Sequence, residues 1–175
     1  MSVFVSARIQ QALLKAWHAW LAGSWLVAYL TADENTYAMH QFAGYAALAA
    51  ILARLAAGLL APAGSPLRLP RLDLAAARAW LSSREGRHRG RHPLFAWFAV
   101  VLLAVVGIAA LSGAVADSAA WIEHPHEAVA EASLWVIVGH IAFVTWMYAG
   151  RKAIAGAVSR LARLGPSPLS KEKSR

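Results

Sequence analysis

The residues best suited to chemistry in this 175-residue chain are its seven histidines; it has no cysteine, and Asp and Glu together number nine. His126 and His140 stand 14 residues apart. On a helix that is almost four turns, so the two imidazoles share a face to within about 40° and lie about 21 Å apart along the axis. The separation is far too long for one metal ion and suits two cofactors held at two depths. His124 is a weaker choice than His126, because its 16-residue spacing to His140 would turn it about 160° away.

Each of these histidines needs a partner from another helix. His40 opens a second apolar segment at the level of His126, and His18 lies inside a first one near the level of His140. The pairs expected are therefore His40/His126 and His18/His140. Two imidazoles are enough to ligate a haem iron, since the macrocycle supplies the other four nitrogens, and a helix bundle is a usual place for such a group. A structural zinc would want four N or S ligands in one small site. The lack of cysteine excludes disulfides, thiolate-bound iron–sulfur clusters and C-x-x-C-H haem attachment. Two haem b groups with His18, His40, His126 and His140 as axial ligands are expected. The competing role for any one of these histidines is an interhelical hydrogen bond.

Two further residues belong to the expected cofactor site. Gly44 lies one turn from His40 on the same face, where a missing side chain lets a flat ring approach; Gly139 adjoins His140 in the same way. Arg54 follows His40 by 14 residues, at the depth of the inner pair, and is expected to meet a haem propionate. The alternative for Arg54 is snorkelling to the nearby headgroups. His88 reads as a solvated or headgroup-facing residue of a basic loop.

Long apolar elements must carry these groups. The chain is 59% hydrophobic and 15% charged, more apolar than an ordinary soluble domain. Four segments meet the requirement of about 20 mostly apolar residues for a spanning helix: 13–32, 41–61, 93–116 and 128–150. None shows the period-2 alternation of a barrel strand. The expected fold is an all-α integral membrane four-helix bundle over residues 1–164, with a disordered tail at 165–175. The first segment is expected to be a retained helix rather than a cleaved signal, since His18 and several polar or aromatic residues interrupt it.

Charge sets the orientation. Loop 62–92 holds seven arginines and residues 151–175 hold seven basic residues, whereas 31–40 and 117–127 hold no Lys or Arg. The positive-inside rule places the long loop and both termini in the cytoplasm of a multi-pass inner-membrane protein. The net charge of +8 is thus a topology signal, and nucleic acid is not an expected partner. Residues 73–83 read as a short amphipathic helix on the membrane surface. The eight tryptophans, Trp17, Trp121 and Trp146 among them, read mostly as an interfacial belt.

The strings AWHAWLAGSWLVAYLTADE, MHQFAGYAALAAILARLAAGLLAP and HEAVAEASLWVIVGHIAFV resemble the bacterial cytochrome b561 and nickel–iron hydrogenase b-type cytochrome family. The likeness spans about residues 8–160, and the His-Glu pair with a second histidine 14 residues on is its most specific part. Before the third segment the family's Gly-His-Asn-Pro-x-Gly-Gly reads GRHPLFAW here, keeping His92 and Pro93. The resemblance implies a dihaem electron carrier with His18 and His140 on the cytoplasmic-side haem and His40 and His126 on the outer one. It also implies exchange of electrons with the quinone pool and a periplasmic partner, a cytochrome c or an oxidoreductase subunit. The chain would then be an electron-transfer subunit of a quinone-linked system rather than a stand-alone catalyst, with lipid, quinone and that protein as its partners. The rival readings are a transporter or proton relay using His18, His140 and Glu131, and a non-redox membrane anchor.

Overall fold

The computed structural model describes residues 6–70, 72–75, 78 and 93–164. Its long elements are helices α1 (Ala7–Leu30), α2 (Tyr37–Leu60), α3 (Pro93–Ala116) and α4 (Glu123–Leu164), and no strand occurs among the described residues. Two short 3-10 turns, Glu34–Thr36 and Ala120–Ile122, sit before α2 and α4. The chain divides into two compact units, Met1–Val136 and Ile137–Arg175, with the boundary inside the residue range of α4. His88, His92, the tail 165–175 and most of the expected surface helix at 73–83 lie outside the described residues.

Local chemistry explains where the helices begin and end. The side chain of Ser6 accepts the Ile9 N–H at the start of α1. The Thr31 hydroxyl donates to the Val27 carbonyl at 2.6 Å where α1 stops, and that of Thr36 donates to the Thr31 carbonyl at 2.9 Å. Asp33 accepts the Asn35 N–H at 2.9 Å, so the link into α2 satisfies its own polar groups. Pro93 and Pro125 fall in the first turns of α3 and α4, where the missing N–H has no intrahelical partner to lose. After α2 the chain turns through Gly64, whose φ of 85° suits glycine. It then folds back toward the start of α1, where the Ser65 hydroxyl donates to Gln10 Oε1 at 2.8 Å.

Packing in the first unit puts small residues inside and large apolar ones outside. Ala43, Ala47, Ala50, Ile51, Val106 and Ala109 are buried. Phe42, Leu52, Leu59, Leu60, Ile108 and Leu111 are exposed. Alanines at 43, 47 and 50 share one face of α2 and let α1 and α3 approach it closely. Water would penalise such an arrangement; hydrocarbon does not, and small-residue helix contacts are the usual packing device in a bilayer.

The expected segments map onto these helices with differences at their ends, the last helix starting at Glu123 rather than 128. The third coincides with α3. The first and second helices begin earlier than expected, at Ala7 and Tyr37. The last runs well past residue 150 to Leu164, because no proline or glycine-rich stop interrupts RKAIAGAVSRLARL before Gly165 and Pro166. Among the described residues three helical stretches are long and apolar enough to cross a membrane: Glu34–Leu60, Phe95–Ala116 and Ala120–Ala149. Helix α1 has the length, but Lys15, His18 and three tryptophans lower its hydropathy.

Candidate functional site

His40 and His126 come together in the first unit. His40 sits in the first turn of α2 and His126 in the first turn of α4. Their ring centres are 6.1 Å apart, with the planes at 70°. The His40 Nδ1–H donates to the Ala28 carbonyl of α1 at 2.7 Å. The His126 Nδ1–H is shared between the Ala109 carbonyl of α3 at 3.1 Å and Ser112 Oγ at 3.2 Å. The Ser112 hydroxyl itself donates to the Ala109 carbonyl at 3.0 Å.

These bonds fix the chemistry of both rings. A carbonyl can only accept, so each Nδ1 carries a proton, and in the neutral ring Nε2 keeps its lone pair, the state of a metal-ligating histidine oriented by a backbone acceptor. With the ring centres 6.1 Å apart, the two imidazoles could hold one metal ion between them through their Nε2 atoms. Among the described residues no third His, Cys, Asp or Glu converges to complete a metal cage. The pair therefore suits an ion whose remaining ligands come with it.

Space is provided beside the rings. A cavity of about 1200 Å³ is lined by both histidines and by small residues, including Ala28, Gly44, Ala47, Ala109, Ala110 and Gly113. At Gly44 an added Cβ would meet nothing within 4 Å, so that side of the cavity is open. At Gly113 an added Cβ would lie 2.9 Å from His126 Cε1, so glycine there makes room for the imidazole itself. His124, by contrast, is exposed and lies 3.6 Å from the Glu127 carboxylate.

The other expected residues are placed differently. His18 and His140 fall in different units, His18 exposed on α1 with its ring 6.4 Å from that of Trp17 and His140 within the second unit. Arg54 donates from Nη1 to the Leu67 carbonyl at 2.6 Å, and its guanidinium stands 5.7 Å from the centre of the Trp17 ring. Trp17 in turn donates from Nε1 to the Ala50 carbonyl at 2.7 Å, so it joins α1 to α2 rather than serving simply as a belt residue.

Sequence reasoning missed several residues around the pair. Asp117, just past α3, accepts from the Tyr37 hydroxyl at 3.0 Å and the Tyr45 hydroxyl at 2.6 Å. The Tyr45 hydrogen bond, reinforced by those of Gln41 and Tyr37, holds the Asp117 carboxyl below the usual carboxylate range. The Tyr37 ring stacks against the His40 ring, centres 6.2 Å apart and planes at 22°. Ser112 and Gly113 carried a faint signal, as a polar and a flexible residue late in a helix otherwise free of charge.

No curated protein and no solved structure matches the chain. The family model of prokaryotic cytochrome b561 matches residues 9–159, a stretch that contains the paired histidines and reaches from the first turn of α1 far into α4. The chain therefore belongs to the prokaryotic cytochrome b561 family, whose membership makes it a membrane protein of the b-type cytochrome kind, built to bind haem b and transfer electrons.

Proposed function

We propose that this chain is a dihaem cytochrome that passes electrons across the bacterial inner membrane between the quinone pool and a redox partner on the outer side. In this reading His40 and His126 hold the outer haem, and His18 and His140 hold the inner one. The observation that carries it is the meeting of His40 and His126, each with Nδ1–H committed to a carbonyl and Nε2 available. The inner pair rests on the 14-residue spacing of His126 and His140 in α4 and on the position of His18 in α1.

When bound, haem b supplies one-electron chemistry at its iron. The chain's own residues bind and orient. The carbonyls of Ala28 and Ala109 set the rotation of the two imidazoles and raise their basicity. Gly44 and Ala47 leave room for a flat group. The guanidinium of Arg54 carries five N–H donors, so its bond to Leu67 leaves capacity for a propionate of the inner haem. Helix α1, at 24 residues, is about 36 Å long and can serve as the fourth span. Both termini and the arginine-rich loop lie in the cytoplasm, where they meet anionic headgroups. The chain works as the electron-transfer subunit of a quinone-linked system, with a periplasmic cytochrome c or oxidoreductase subunit as its partner.

Reconstitution tests this directly. The purified chain is expected to carry two haems, and in sealed vesicles supplied with quinol it should reduce an acceptor confined to the opposite side. A colourless protein, or one that holds a single haem and moves no electrons across the bilayer, would refute the proposal.

A further inference from the structure

We infer that Asp117 is a fixed negative charge that lowers the redox potential of the outer haem site. This rests on the assignment of His40 and His126 as the ligands of that site.

The placement of the carboxylate is specific. Tyr37, Gln41 and Tyr45 follow at intervals of four along α2 and so line one face of it. Tyr37 and Tyr45 donate to different oxygens of Asp117, and Gln41 adds a further hydrogen bond. The carboxylate of the segment after α3 is thus tied to the first turns of α2, where His40 also sits. Tyr37 is the link, its hydroxyl on Asp117 and its ring against His40. Asp117 lines the same cavity as both histidines.

The charge is held without being cancelled. Phenol and amide donors stabilise a carboxylate but carry no net charge of their own. The segments 31–40 and 117–127 contain no Lys or Arg to neutralise it. Reduction of the outer site adds one electron and lowers its net charge by one unit, with no proton needed at Asp117. A nearby anion favours the more positive, oxidised form of the site. The same hydrogen bonds keep the carboxylate at one distance, so its field at the site is constant.

A spectroscopic redox titration of the purified, haem-loaded chain is the test. Asp117→Asn keeps the shape and removes the charge; the outer potential should rise while the inner one stays put. Asp117→Glu keeps the charge and should stay close to the wild type. An unchanged outer potential in Asp117→Asn, or an equal rise in Asp117→Glu, would overturn the inference. Should Asp117→Asn fail to retain the outer haem, Asp117→Glu and Asp117→Gln form the deciding pair, and equal potentials in the two would overturn it. His126→Ala separates the two levels of the argument. If it removes one haem and the Asp117 potentials do not move, this inference alone fails; if it removes none, the ligand assignment fails first.

Discussion

A histidine inside an apolar helix is costly unless its polar atoms are satisfied. At His40 and His126 a backbone carbonyl of a neighbouring helix takes the Nδ1 proton, which leaves one nitrogen for a ligand. The arrangement is tight at Gly113. Replacing it with alanine should cost about 1–3 kcal/mol of overpacking and displace His126, seen as loss of outer-haem absorbance with the inner haem retained. Asp117 offers a second residue-scale prediction. Its carboxyl sits below the ordinary range because Tyr45, Gln41 and Tyr37 hydrogen-bond the charged form. The stabilisation it confers is therefore present above the ordinary carboxylate value and lost as pH falls through the lowered one. The gap in melting temperature between wild type and Asp117→Asn should stay constant from pH 8 to about 5 and close only in stronger acid. A gap already closing near neutral pH would show that another group holds the segment. The candidacy of His40 and His126 was legible in the sequence, since helical spacing ties residue number to depth. Gly113 and Asp117 were not, because their roles depend on which faces of three helices meet.

At the scale of elements, the first unit is held by small residues and a few hydrogen bonds between helices. Trp25 of α1 donates from Nε1 to Ser133 Oγ of α4 at 3.0 Å, and Ser133 is fully buried. Ser133→Ala would strand that indole donor. It should destabilise the protein by about 1 kcal/mol, measured as a lower denaturant midpoint in mixed micelles; an unchanged midpoint would show that Trp25 finds another partner. The existence of all four helices was readable from apolar runs, and α3 even in its limits. The start of α1 and the far end of α4 were not, because polar helical turns carry no hydropathy signal. The hydrogen bond of Trp17 to Ala50 was hidden for another reason: tryptophan near a membrane interface reads as a belt residue until its partner helix is in place.

At the scale of the molecule, charge asymmetry and ligand pairing carry the account. The basic segments 62–92 and 151–175, set against the Lys- and Arg-free segments 31–40 and 117–127, predict that reporters fused after residue 175 or inserted near residue 86 are active in the cytoplasm. A reporter inserted near residue 119 should be active only outside; the reverse pattern would overturn the orientation. The central claim is narrower: His40 and His126 grip one haem between them. It is tested most directly by the reduced-minus-oxidised difference spectrum of His40→Ala and His126→Ala, each normalised to protein. The account predicts that the two variants lose the same spectral component and keep the same remaining one. Loss of different components, or of none, would contradict it.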